Sequence, residues 1–269
     1  PAEINKNVRV DVGIVGDLRE TLQTMLEHLP RLDHSDWLEH ISDMKGESAV
    51  RDIQYLPPDG HLYAAHVIHD LWRFTGGDAI ITTDVGQHQM WAAQYYRVDK
   101  PFQWITSGGL GTMGFGLPAA IGAKFARPDA EVWAIVGDGG FQMTAAELST
   151  AAQEGIKVNV AVINNGYLGM VRQWQEFFYE RRYAATPMRS PDFVKLAEAH
   201  GLTGFRVERR EDVRSALEAA RSTDGTVVID FRVEQEDSVY PMVPAGADLH
   251  NMIRRPLRAA IVETAQDEL

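Results

Sequence analysis

The stretch Glu131–Trp174, EVWAIVGDGGFQMTAAELSTAAQEGIKVNVAVINNGYLGMVRQW, constrains the fold more than any other part of the chain. Two short apolar runs, Val132 to Val136 and Val158 to Ile163, flank a helically spaced segment from Phe141 to Gln153. Short runs that are apolar at successive positions read as strands buried on both faces, the environment of a parallel sheet. The first run ends in Gly137-Asp138-Gly139-Gly140 and the second in Asn164-Asn165-Gly166, so oxygen ligands sit at both carboxyl ends. Open α/β sheets bind ligands along that edge.

A diphosphate held through a hard divalent cation suits such a place. Magnesium takes oxygen ligands and commonly only one or two from side chains. Asp138 offers a carboxylate and Asn165 an amide carbonyl. Gly139 and Gly140 are expected to take positive φ so that a phosphate can reach backbone N–H groups. A helix starting near Phe141 would turn its N-terminus towards the same anion. A strand followed by Gly-Asp does not suffice, because Ile14-Val15-Gly16-Asp17 repeats it. There Asp17 reads as a helix N-cap, with Glu20 three residues on.

The rest of the chain follows the same alternation. Val8 to Val15 reads as a strand, and Asp17 caps a helix to about Leu29 with Leu18, Leu22, Met25, Leu26 and Leu29 on one face. Residues 30–60 form a connector with a short helix near Asp36 to Met44. His61 to Phe74 is an amphipathic helix ended by Gly76-Gly77, and Ala79 to Thr83 is a strand leading into Asp84-Val85-Gly86-Gln87-His88. The Gly-dense run Ser107 to Gly116 precedes an apolar helix, Leu117 to Phe125. Beyond the Asn pair come a helix (Leu168 to Tyr179), a polar loop (Glu180 to Ser190), a helix (Asp192 to His200), a strand (Gly204 to Val207), a helix (Glu211 to Ala220) and a strand (Thr226 to Arg232). This order implies an α/β fold with a doubly wound, mostly parallel sheet and helices on both faces. Periodicity alone assigns Met170, Val171, Trp174, Phe177 and Phe178 to core, and His88 and Met113 also have ordinary packing readings.

Composition narrows the function classes. There are no cysteines, which excludes disulfides, zinc–thiolate sites and iron–sulfur clusters. A net charge of −12 without a long basic run argues against nucleic acid or an anionic membrane as partner. No run approaches the roughly 20 apolar residues of a membrane span.

GDGG followed by a helix, a strand and Asn164-Asn165 resembles the thiamine diphosphate fingerprint. Gly169-Met170-Val171-Arg172-Gln173-Trp174 and Pro241-Met242-Val243-Pro244-Ala245-Gly246 make the chain similar to the C-terminal portion of acetohydroxyacid (acetolactate) synthase catalytic subunits. The resemblance implies thiamine diphosphate held by Gly86, Gln87, His88, Gly111, Met113, Gly137, Asp138, Gly139, Gly140, Asn165, Tyr167, Gly169 and Met170. It implies magnesium on Asp138, Asn165 and the Tyr167 carbonyl, and a substrate entrance bordered by Met170 and Trp174. The activity implied is decarboxylation of pyruvate and condensation with a second 2-keto acid, pyruvate or 2-ketobutyrate, in branched-chain amino-acid biosynthesis.

By the same resemblance, residues 1–30 are a remnant of a central flavin-associated domain, 31–60 a linker, 61–243 the diphosphate-binding domain and 244–269 a tail near the active-site entrance. FAD belongs to the full-length enzyme. The implied assembly is a cytoplasmic homodimer or tetramer with its active site at a subunit interface, and a regulatory small subunit is a further implied partner. No catalytic side chain is assigned within this chain. The activating glutamate of the family lies in a pyrimidine-binding domain of the partner subunit, whereas Glu147 and Glu154 here read as structural. The chain alone is accordingly expected to be inactive. Pyruvate oxidases, glyoxylate carboligases and related decarboxylases share the fingerprint, and a non-catalytic structural or dimerisation fragment is the remaining alternative.

Overall fold

The computed structural model describes residues 2–45, 53, 56, 57 and 59–256. The chain divides into two compact units, Pro1–Ser48 and Ala49–Leu269. Expectations for residues 46–52, 54, 55, 58 and 257–269 lie outside the described residues.

In the first unit, α1 (Leu18–His28) and α2 (Ser35–Lys45) form as the periodicity predicts. Asp17 caps α1 by accepting a hydrogen bond from the Glu20 N–H at 3.1 Å. The strand expected at Val8 to Val15 does not form; those residues make bends and irregular backbone, with Val8, Val10, Val12, Ile14 and Val15 exposed. A strand satisfies its backbone only by pairing, and the described residues of this unit contain no second strand.

The second unit is built on a six-stranded, wholly parallel sheet in the order β2-β1-β3-β4-β6-β5. Its strands are β1 (Ile80–Thr83), β2 (Trp104–Thr106), β3 (Val132–Gly137), β4 (Asn159–Asn164), β5 (Thr203–Val207) and β6 (Val227–Arg232). Two-residue alternation in the strands divides the core between two faces. Trp133, Ile135, Ala161, Ile163, Ile229 and Phe231 pack beneath α3 (Ala64–Thr75), α4 (Gln87–Tyr95) and α10 (Val213–Ser222). Val132, Ala134, Val136, Val160, Val162 and Val228 pack beneath α5 (Gly116–Ala126), α6 (Asp138–Thr144), α7 (Leu148–Gln153) and α9 (Phe193–Ala199). The sheet is therefore doubly wound.

Two sequence expectations change in detail. The helix after β3 begins at Asp138 rather than near Phe141, and a 3-10 turn at Ala145–Glu147 separates α6 from α7. The short edge strand β2, only three residues long and half-buried, lacks the apolar run that identified the others. Because every strand is parallel, all six carboxyl ends lie on one rim of the sheet, and the turns after β1, β3 and β4 open there.

Candidate functional site

The turn after β1 begins with Asp84, whose carboxylate is fully buried. Asp84 accepts hydrogen bonds from the Val85 N–H (2.6 Å), the Gly114 N–H (2.9 and 3.0 Å) and the Gly116 N–H (3.2 Å). One side chain thus ties the Gly-rich segment to the end of β1. It also explains Gly140, where an added Cβ would lie 2.5 Å from Asp84 Oδ1. Neither Gly139 nor Gly140 has positive φ, so the conformational reason expected for them is replaced by a steric one. At Gly139 a Cβ would lie 2.9 Å from Leu168 Cδ2.

Gly86 has φ 152° and ψ −161°, a region open essentially to glycine, and it swings the chain into α4. Gln87 and His88 are buried at the start of that helix. Burial holds His88 neutral, its pKa pushed down to about 4. Its Nε2 has no partner among the described residues. The imidazole lies against Gly137, where a Cβ would come within 2.6 Å of Nδ1.

β3 and β4 deliver the two oxygen ligands. Gly137 pairs with Ile163 in the ladder, which sets Asp138 beside the Asn164-Asn165 turn. Asp138 is 1% exposed, and burial pushes its pKa up to about 6. Its supports are the Ser190 hydroxyl, which donates to Oδ2 at 2.9 Å, and backbone N–H groups including those of Gly139 and Gly166. A buried carboxylate with only neutral donors is an under-compensated charge. It contrasts with Asp17, an exposed cap and nothing more. The Asn165 Oδ1 accepts from the Tyr167 N–H at 3.1 Å, and its Nδ2 donates to Gln87 Oε1 at 3.0 Å. An isolated antiparallel bridge joins Tyr167 to Pro187 through the Leu168 amide and the Gly166 carbonyl, leaving the Tyr167 carbonyl outside its two bonds.

The helix α8 (Gly169–Phe178) reverses the burial that its apolar spacing predicts. Arg172 and Gln173 are buried, while Val171, Trp174 and Phe178 are exposed. Arg172 donates to the Asp237 carbonyl (2.6 Å), the Ser238 hydroxyl (3.2 Å) and Glu176 (2.9 Å). Gln173 donates to the Val239 carbonyl at 3.0 Å and accepts from the Val239 N–H at 2.8 Å. The helix therefore turns its polar face to the segment beyond β6 and leaves an apolar stripe facing out.

One cleft collects Gly86, Gln87, His88, Met113, Gly137, Asp138, Gly139, Gly140, Asn165, Tyr167, Gly169 and Met170, joined by Val85, Trp91, Ile163, Leu168 and Val171. Two residues from the sequence reading stand apart from this lining. Gly111 is exposed, at φ +67°, within the Gly-rich segment, and Trp174 lies further along α8 against Phe178 with ring centroids 5.1 Å apart. Asp84, Ser190 and Gln173 were not singled out from sequence. Asp84 had a readable signal, an acid ending a buried strand before Gly86; Ser190 and Gln173 reach the site only through long-range packing. Glu147 and Glu154 lie outside the cleft lining, the former accepting from the Thr150 hydroxyl at 2.9 Å. Among the described residues no helix is long and apolar enough to cross a membrane.

Residues 84–231 match the family described as thiamine pyrophosphate enzyme, C-terminal TPP binding domain. The chain is 51% identical to acetolactate synthase of Mycobacterium bovis over 259 residues, covering 91% of this chain and 41% of that protein. It is 44% identical to the large subunit of acetolactate synthase isozyme 3 of Escherichia coli over 264 residues, covering 94% of this chain and 45% of that protein. It is 43% identical to the mitochondrial acetolactate synthase catalytic subunit of Saccharomyces cerevisiae, covering 94% of this chain and 37% of that one. The chain thus spans about two fifths of the length of the curated relatives it matches. The rim built by Asp84, Gly86–His88, Asp138 and Asn165 falls within the matched residues, and the chain belongs to the thiamine pyrophosphate enzymes, among which it is similar to the C-terminal portion of acetolactate synthase catalytic subunits.

Proposed function

We propose that this chain forms the diphosphate-holding half of an acetolactate synthase active site. The observation that carries the reading is the convergence of Asp138 and Asn165, from adjacent strand ends, with Gly86, Gln87 and His88 in one cleft. The donor set fits magnesium: a single buried carboxylate, an amide oxygen and a backbone carbonyl are all hard oxygen ligands. The described residues contain no group of three or more His, Cys, Asp or Glu suited to a metal. One carboxylate with the remaining positions left to phosphate and water is a usual way to bind magnesium. A cation beside Asp138 would also compensate the charge that burial now disfavours.

Thiamine diphosphate, when bound, supplies a nucleophilic carbon and an electron sink for decarboxylating a 2-keto acid. The chain's own part is positioning and exclusion of water. Asp138, Asn165 and the Tyr167 carbonyl would hold the cation, and the backbone about Gly86 with the buried His88 would hold the diphosphate. Met113 from the Gly-rich segment would brace the cofactor's ring system, and the Gly111 backbone nearby would contribute to its binding. Met170 and Val171 give the cleft an apolar wall that would exclude water from the reacting carbon, and Trp174 would border the approach of the second 2-keto acid. The described residues lining the cleft include no glutamate. The activating glutamate is proposed, as the resemblance implies, to come from a pyrimidine-binding domain of a partner subunit, so that the working enzyme is an oligomer with a shared site. FAD and a regulatory subunit belong to that larger assembly.

Calorimetric titration of thiamine diphosphate into the chain, with and without magnesium, tests this beside Asp138→Ala. Magnesium-dependent binding that Asp138→Ala abolishes is the expected result. Binding that ignores both magnesium and Asp138→Ala would overturn the cation site.

A further inference from the structure

Three side-chain amides run in line from the cleft to the segment after β6, and backbone groups of Val239, Asp237 and Tyr167 fix their orientation. The backbone of Val239 presents an N–H and a C=O to the Gln173 amide, at 2.8 and 3.0 Å. A backbone N–H only donates and a carbonyl only accepts, so the Gln173 oxygen and nitrogen are assigned without ambiguity. Gln173 Oε1 then accepts a second bond, from Gln87 Nε2 at 2.9 Å. Gln87 Nε2 also donates to the Asp237 carbonyl at 3.2 Å, so its NH2 end is fixed twice. That leaves Gln87 Oε1 facing Asn165, where it accepts from Nδ2 at 3.0 Å. The Asn165 oxygen therefore faces the other way, where it accepts from the Tyr167 N–H.

We propose that Gln173 is a positioning residue: together with the Asp237 carbonyl it holds the Gln87 amide, which with the Tyr167 N–H sets which end of the Asn165 amide meets the cation. An asparagine turned by half a rotation would offer two N–H donors to a cation, which repel it. The steric record of the site agrees. A Cβ at Gly169 would land on Gln87 Oε1 and lie 2.8 Å from Asn165 Nδ2, so glycine at that position is what lets these two amides meet. The assignment rests on the reading of Asn165 as a cation ligand given above.

The test is calorimetric titration of magnesium into the chain at saturating thiamine diphosphate. It compares the wild type with Asp138→Ala, Gln173→Met, Gln173→Glu, Asn165→Asp and the Gln173→Met/Asn165→Asp pair. Gln173→Met fills the same space but fixes no amide, and magnesium affinity is expected to fall about 10- to 100-fold, as for other supports of metal ligands. Gln173→Glu keeps the acceptor that Gln87 Nε2 and the Val239 N–H need but sets its other oxygen against the Val239 carbonyl, so its melting temperature is expected to drop while its magnesium affinity stays within about threefold of wild type. A packing role would move both variants alike.

The double variant gives the sharper sign. Asn165→Asp alone sets a carboxylate against the fixed Gln87 Oε1 and weakens binding. With Gln173→Met, Gln87 Nε2 keeps only its longer bond, to the Asp237 carbonyl at 3.2 Å, which the new carboxylate outcompetes, and binding recovers relative to Gln173→Met alone. Unchanged affinity in Gln173→Met, or losses that simply add in the pair, would overturn the assignment while leaving the cation site standing. If wild type and Asp138→Ala bind alike, or neither binds, the site reading fails and this assignment falls with it. A readout that needs no variant is hydrogen exchange of the side-chain NH2 groups in the ligand-free chain. Slow exchange at Gln87, Gln173 and Asn165 together supports the relay, and fast exchange at Gln87 or Gln173 rules it out.

Discussion

Gly137, Gly140 and Gly169 are glycines because neighbouring side chains occupy the space a Cβ would need. Gly137→Ala drives a methyl to within 2.6 Å of the His88 ring, which is itself buried and has nowhere to retreat. Overpacking of this kind costs about 1–3 kcal/mol, and chemical denaturation of Gly137→Ala and Gly169→Ala is expected to show losses in that range. Gly122→Ala provides the opposite sign. It sits on α5 with nothing within 4 Å of an added Cβ, so relief of backbone entropy is expected to stabilise by about 0.5–1 kcal/mol. The motif itself was legible in the sequence, since Gly137-Asp138-Gly139-Gly140 and Asn165 line one cleft at the strand ends. Its reason was not. A sequence shows where a side chain is missing, but not that Asp84, His88 or Gln87 stands in the vacated space.

α8 makes the same point for an element. Its place and length follow from the spacing of Met170, Val171, Trp174, Phe177 and Phe178, yet that stripe does not face the core. Amphipathicity names a face without naming its partner, and here the partner is backbone carbonyls from residues 237–239, more than sixty positions on. A buried guanidinium is tolerated because Asp237, Ser238 and Glu176 receive it. Arg172→Met removes those bonds together and leaves their acceptors buried, a change expected to cost about 3 kcal/mol or more. Amide hydrogen exchange should show the loss concentrated in residues 237–242, with β3 and β4 still protected. Uniform loosening across the sheet would contradict that division. The expected strand at Val8 to Val15 failed for a related reason, since its alternation was real but the described residues of its unit hold no strand to pair with.

For the molecule as a whole, buried titrating groups pull acid stability in opposite directions. His66 and His88 are held neutral with pKa values pushed down to about 4 by burial. The unfolded chain takes up these protons first, so this contribution is full above about pH 6.5 and is lost as pH falls towards 4. Asp138, raised to about 6, acts oppositely, since the folded chain binds its proton more readily and loses stability as pH rises from about 4 to 6. At about 1.4 kcal/mol per pKa unit, the two histidines outweigh the one aspartate, and the ligand-free chain is expected to weaken on acidification. Asp138→Asn should raise the denaturation midpoint at pH 7 and steepen the fall between pH 6 and 4; a shallower fall would show that Asp138 is not the opposing group. The sheet order carries a consequence of another kind, for synthesis. Among the described residues β6 is the last strand made, yet it lies between β4 and β5. Until residues 227–232 have emerged, β5 has no strand beside it and β4 keeps one edge bare, and unpaired edges of that kind invite association between chains. A nascent chain halted at Thr223 is thus expected to cling to holdase chaperones, and one halted beyond the 239 backbone to release from them, as if the final strand were the latch of the whole rim.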